Sequence, residues 1–165
     1  MGLFDKLFSK GEKVKANCVY APLSGKVVPI TEVPDATFAG GFLGNGVAII
    51  PADGKVYAPC NANVDMMFDT GHAISLVAEN GAEILIHVGL ETVSLAGKPF
   101  TVHVKNGDTV KKGDLLIEAD LEAIKAAGLN TITPVLVCNH DNFPKFQTNV
   151  GVEVTNADVI IDLGK

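Results

Sequence analysis

The stretch "HAISLVAENGAEILIHVG", residues 72–89, reads as two strands folded back on one turn. Apolar residues crowd both sides of Asn80-Gly81, a dipeptide whose members both tolerate positive φ and which marks two-residue hairpin turns. Such a turn sets Glu79 opposite Ala82, His72 opposite Gly89 and Ile74 opposite His87. His72 and His87 then become diagonal neighbours on one face of the ladder, with Cα atoms roughly 7–8 Å apart. Gly89, lacking a side chain, leaves space over His72 for an outside group.

Outward from this hairpin the chain keeps the same punctuation. From Asn17 onward, short β-branched runs alternate with Gly, Pro, Asn and Asp. The runs predict strands at 19–20, 25–30, 46–50, 55–57, 62–67, 73–78, 83–88, 101–104, 115–118, 133–137, 151–154 and 159–162. "DLEAIKAAG", with Asp120 as cap and Gly128 as terminator, predicts one short helix. "YAPLSGKVVPI" from Tyr20 and "YAPCNANVDMM" from Tyr57 form a weak repeat 37 residues apart. The expected fold is therefore all-β: an antiparallel β-sandwich or partly closed barrel with two related β-motifs and one short helix. Lipoyl and biotinyl domains use similar turns, but no turn here carries their lysine between small or methionine residues.

The 165 residues, 47% hydrophobic, suffice for one core, and a single domain is expected over residues 17–165. Residues 1–16 differ from it. Leu3, Phe4, Leu7 and Phe8 fall at helical spacing, and Lys6, Lys10, Lys13 and Lys15 outnumber Asp5 and Glu12. This predicts a mobile amphipathic tail whose residues 1–10 touch a membrane surface weakly. A net charge of −6 argues against nucleic acid as a partner and for a basic protein surface. No apolar run is long enough to span a bilayer and no secretory leader is readable, so the expected location is the cytoplasm, peripheral to the inner face of the membrane. Cys18, Cys60 and Cys138 are odd in number and widely spaced, which argues against a disulfide framework or zinc ribbon and predicts buried thiols.

A lone histidine in a strand is ordinarily structural, and His103 and His140 are read so. Two converging imidazoles offer more: a nucleophile or two metal ligands on an apolar surface. A metal-dependent hydrolase would need a third protein ligand, and none is evident. A pure binding or regulatory module is the remaining alternative.

"MGLFDKL", "APLSGKVVPITEVPDATFAGGFLGNGVAI", "TGHAISL", "ILIHVGLETVSLAG", "VKKGD" and "TPVLVCN" together resemble the glucose-type enzyme IIA of the bacterial phosphoenolpyruvate-dependent sugar phosphotransferase system, over nearly the whole chain. The resemblance implies a transferase component working through a phosphohistidine. His87 would take a phosphoryl group on its ε2 nitrogen from the histidine phosphocarrier protein and pass it to the IIB domain of a sugar permease. His72 and Thr70 would support the transfer. It implies an apolar docking ring of Phe38, Phe42, Leu43, Val47, Phe68 and Leu85, with Asp35, Glu91 and Asp141 as acidic rim. Leu85 stands where the family has an aromatic residue and Glu91 where it usually has aspartate. No cofactor is implied for phosphotransfer. A zinc ion on His72 and His87, shared with a regulatory partner, is implied by the family's complex with glycerol kinase. Other permeases and adenylate cyclase are the family's further regulatory partners.

Overall fold

A computed structural model describes residues 14–164. The amphipathic stretch expected at residues 1–10 lies outside the described residues. Among those described there are fourteen strands. They are β1 (Cys18–Tyr20), β2 (Gly25–Pro29), β3 (Asn45–Pro51), β4 (Lys55–Tyr57), β5 (Ala62–Met67), β6 (Ala73–Ala78), β7 (Glu83–His87), β8 (Phe100–Val102), β9 (Thr109–Val110), β10 (Leu115–Ala119), β11 (Thr133–Val137), β12 (Gln147–Thr148), β13 (Glu153–Val154) and β14 (Val159–Asp162). An eight-stranded antiparallel sheet runs β9-β5-β6-β7-β11-β3-β2-β13, and two three-stranded sheets run β4-β10-β8 and β12-β14-β1. Asp120 caps α2 (Leu121–Ala126) by accepting from the Ala123 N–H, as its sequence predicts. A second helix, α1 (Ala36–Ala39), was not expected: Asp35 caps it through the Thr37 N–H, a signal hidden by its single turn.

The large sheet reads the same from both edges, because the weak sequence repeat is a structural one. Asn63 and Ala62 pair with Thr109 and Val110 at one edge, while Lys26 and Gly25 pair with Glu153 and Val154 at the other. The two Tyr-Ala-Pro segments bind each other reciprocally: Tyr20 N–H donates to the Pro59 carbonyl at 2.9 Å and Tyr57 N–H to the Pro22 carbonyl at 2.8 Å. The pseudo-dyad passes between Ile86 and Val135, register partners at the centre of the sheet.

Period-two alternation sends every central strand to two cores. Ile84, Ile86, Val135, Val137, Val47 and Ile49 join Val56, Ile117 and Ile161 of the small sheets in the main core between the layers. Ala48 and Leu136 point the other way, into a second cluster roofed by Ile30, Val33 and Phe38, against which Leu85 also packs. His87 shares the parity of Leu85 and therefore opens on this outer side. Cys18 and Cys60 are buried and Cys138 is exposed, contrary to the expectation that all three are interior; each is a free thiol.

The central hairpin corrects the predicted register by one residue. Ala73 pairs with His87 and Ile74 with Ile86. The loop has three residues, not two: Ala78 N–H donates to the Ala82 carbonyl at 2.9 Å, and Gly81 alone takes positive φ, at 88°, while the Asn80 side chain accepts from the Ala82 N–H. A type I turn closed by one left-handed glycine matches strand twist as well as the two-residue turn does. Ile86 is fully buried at the dyad, so Ile86→Ala should lower unfolding free energy by about 2–5 kcal/mol, read from urea denaturation.

Candidate functional site

A one-residue change of register exchanges the faces of a strand. On strict alternation His72 would thus lie on the side opposite His87. It does not, because neither residue is in regular pleat: His87 is the last residue of β7, and His72 precedes β6, after Gly71 at φ 72°. The Val88 N–H still donates to the His72 carbonyl at 2.7 Å, which ties the two strand ends together. The ring centroids stand 5.0 Å apart at an interplanar angle of 76°. The convergence expected from the sequence is therefore real, but through strand ends and not through a diagonal of the ladder. Ile74 and Leu76, on the strand that follows His72, belong to the main core.

Two aromatic rings extend the pair into a row of four. Phe38 lies 5.0 Å from His87 and Phe68 lies 5.3 Å from His72, centroid to centroid. Aromatic contacts of this kind hold ring planes as well as bury area. A side chain at Gly71 would run into Phe100 and Val102, so only glycine lets the turn bearing Thr70 sit this close to β8.

Each imidazole has its δ nitrogen engaged. His87 Nδ1 lies 2.8 Å from the Gly89 carbonyl, which can only accept, so Nδ1 carries the proton and Nε2 of the neutral ring keeps its lone pair. Gly89 serves differently from the sequence reading: a Cβ there would meet Thr92 and the Asn130 carbonyl, and its φ of 75° turns its own carbonyl onto His87. Thr70 Oγ1 and His72 Nδ1 are 2.5 Å apart. Sequence reasoning missed the Gly89 acceptor because a backbone carbonyl has no residue signature.

Burial holds His72 down at about 4, with the like charge of His87 adding to it. Burial also lowers His87, partly offset by its bond to Gly89 and by the negative field of Asp35. Both rings are therefore neutral near pH 7.

The expected docking residues divide. Phe42 and Leu43 are exposed, at 78% and 39%, and Glu91 sits on the rim in a left-handed conformation at φ 58°. Phe38 is a wall of the histidine site, 5% exposed, and Leu85 and Phe68 are half-buried. Val47 cannot dock anything: it is fully buried in the main core, since its parity on β3 points inward. Asp141 lies in an exposed 3-10 turn and faces His140 at 3.4 Å. That turn follows Asn139, which bonds Glu83 and Gly81 at the end of β7 remote from His87. Val93, 53% exposed in the turn after Glu91, is an apolar rim residue that the sequence reading missed. His103 pairs with Glu118 at 2.9 Å, consistent with its structural reading. Among the described residues no three or more His, Cys, Asp or Glu side chains converge as a metal site, and no helix is long and apolar enough to cross a membrane.

The structure defines a class: a duplicated all-β sandwich that sets a neutral histidine with one unengaged ring nitrogen beside a second histidine, an arrangement whose chemistry allows nucleophilic attack or metal ligation. Residues 17–143 match the phosphoenolpyruvate-dependent sugar phosphotransferase system EIIA 1 family, and the chain belongs to it. It is 48% identical over 153 residues to a glucose-specific EIIA component of Bacillus cereus, covering 93% of both chains. Identity is 45% to the same component of Oceanobacillus iheyensis, again over 93% of each. The solved glucose permease IIA from Mycoplasma capricolum superposes with a TM-score of 0.84 at 32% identity, over 89% of this chain and 95% of that one. These agreements also account for the all-β sandwich expected from the sequence.

The lowered histidine pKa values fix the sign of a pH effect. The unfolded chain takes up protons at higher pH than the folded one, so stability is full above about 6.5 and declines as pH falls towards about 4. His72→Gln should flatten this decline in denaturant unfolding across that window. NMR titration of the wild type should find His72 near 4 and His87 below its ordinary value.

Proposed function

We propose that this protein is a phosphoryl carrier for sugar uptake, taking phosphate on His87 from the histidine phosphocarrier protein and giving it to the IIB domain of a glucose-type permease. The observation that carries the reading is the His87 ring itself, neutral, with Nδ1 held by Gly89 and Nε2 free beside His72. The names of the relatives support a glucose-type acceptor. A β-glucoside-specific EIIBCA component of Dickeya chrysanthemi, 46% identical over 130 residues, supports a IIB recipient; this chain spans 21% of that protein.

In the transfer the Nε2 lone pair forms the new N–P bond as the donor's N–P bond breaks, the electron pair returning to the donor's ring. The Nδ1 proton stays on His87, leaving positive charge that the Gly89 carbonyl and the field of Asp35 offset. No general base is required, because the attacking nitrogen is already unprotonated. Phosphoryl transfer asks chiefly for in-line placement and for donors on the equatorial oxygens. With the Thr70 hydroxyl donating to His72 Nδ1, His72 Nε2 bears the proton and serves as such a donor.

Phe42, Leu43, Val93 and the edge of Phe68 form the apolar contact with either partner, while Asp35 and Glu91 steer a basic surface onto it; Asp141, at the remote end of β7, takes no part. Residues 17–165 act as one domain, and the tail over 1–16 touches the inner face of the membrane, keeping the carrier near its permease. The unphosphorylated form binds other permeases and glycerol kinase, and the phosphorylated form acts on adenylate cyclase. A zinc ion would take both Nε2 nitrogens as half of a tetrahedral set, His72 then carrying its proton on Nδ1 where the Thr70 hydroxyl accepts it, with the remaining ligands coming from the regulatory partner.

Incubation with phosphoenolpyruvate, enzyme I and the phosphocarrier should add one acid-labile phosphoryl group by intact mass, absent in His87→Gln. A phosphate that persists in that variant, or none in the wild type, overturns the reading. His72→Gln should still accept phosphate yet pass it to the IIB domain roughly a hundredfold more slowly, since glutamine cannot reproduce the ring's position. Equal onward rates would assign His72 a structural role.

A further inference from the structure

The Gly89 carbonyl, which decides which nitrogen of His87 is free, lies on the peptide joining Gly89 to Leu90, and the glycine before that peptide resists rotation least of all residues. Something else must hold that plane. On the peptide before it, the Val88 carbonyl accepts from the Thr92 hydroxyl at 2.5 Å, and one peptide further back the Val88 N–H is bound by the His72 carbonyl. On the peptide that carries the Gly89 carbonyl itself, the Leu90 N–H donates to the Asn130 carbonyl at 2.9 Å. The Thr92 methyl lies 2.7 Å from where a Cβ of Gly89 would stand, so it packs on the open face of that glycine. Thr92 is fully buried and reaches neither imidazole in any hydrogen bond, and its hydroxyl is spent on Val88 alone.

We infer that Thr92 is a positioning residue for phosphoryl transfer: its hydroxyl locks the Val88–Gly89 peptide on one side of Gly89 while the Leu90–Asn130 bond holds the other, so that the Gly89 carbonyl between them keeps the proton of His87 on Nδ1 and leaves Nε2 nucleophilic. This rests on the phosphoryl-carrier reading. The turn geometry agrees with a clamped loop: Gly89, Glu91, Ala96 and Gly97 all have positive φ, and two of them are not glycine. Strained backbone of this kind persists only where its surroundings hold it. As Nε2 attacks phosphorus the ring becomes cationic and Nδ1–H more acidic, so the bond to Gly89 strengthens in the transition state. A carbonyl already aimed there needs no reorganisation. Without the hydroxyl, one of the two anchors flanking Gly89 is lost, its carbonyl leaves Nδ1 part of the time, and the neutral ring populates both tautomers.

Two substitutions separate hydroxyl from packing. Thr92→Val keeps the shape and loses the hydrogen bond; Thr92→Ser keeps the bond and loses the methyl. Imidazole 15N shifts of His87, recorded at pH 7.5 on unphosphorylated protein, should show an unprotonated Nε2 in wild type and Thr92→Ser. Thr92→Val should show averaged shifts, together with phosphorylation by the phosphocarrier about tenfold slower at unchanged KM. Thermal unfolding reports that the variants compared are folded, and Thr92→Ala is read in the same way if Thr92→Val is not. A folded variant lacking the hydroxyl that keeps both the wild-type shifts and the wild-type rate overturns the inference. Wild type that takes no phosphate overturns the carrier reading instead.

Discussion

A neutral imidazole drawn into a protein surface brings with it an N–H that must find an acceptor, since a buried donor left without one costs about 1–3 kcal/mol. In this protein the acceptor is the Gly89 carbonyl. That single bond sets the demands on everything near it. It requires β7 to stop at His87, the chain to turn at once through positive φ, and the following 3-10 turn to return Thr92 beneath the loop. The same bond leaves Nε2 as the nitrogen with a free lone pair, so backbone geometry sets which way that lone pair faces.

The frame for this arrangement is a duplicated sandwich. Reciprocal Tyr-Ala-Pro bonds and matching edge registers bring the two motifs together, and the central strands β7 and β11 meet across the dyad. Both faces of these strands are buried, the inner by the layers and the outer by Phe38 and its neighbours. Symmetry ends at the site. Leu136 continues the apolar outer face on one central strand, while β7 presents Leu85 and then His87. A rigid repeated scaffold thus carries one unrepeated group whose ring is held on several sides.

Electrostatics and surface chemistry divide the work around the pair. Burial keeps both rings neutral near pH 7, and Asp35 tempers that depression at His87 only. The exposed apolar side chains at Phe42, Leu43 and Val93 lie with the carboxylates of Asp35 and Glu91, a pattern suited to brief contacts with basic partners. In the proposed cycle such contacts must release as readily as they form, because the same surface meets donor and acceptor in turn.

Much of this was readable from residue order. Period-two runs and their Gly, Pro and Asn breaks placed most strands, several to the residue, and Asp120 announced α2. The 37-residue echo of Tyr-Ala-Pro announced two related motifs, and the hairpin brought His72 to His87. These are local properties, carried by side-chain alternation and turn preference. Other features depended on the assembled chain. Asn80-Gly81 is compatible with two turn lengths, and tertiary packing of Ile74 and Ile86 into the inner core chose the three-residue loop. Val47 looks like a surface residue beside Phe42 and Leu43 until the parity of β3 buries it. The acceptor for His87 and the bond from Thr92 are backbone carbonyls, alike in every residue, and only the folded path of the chain decides where they point.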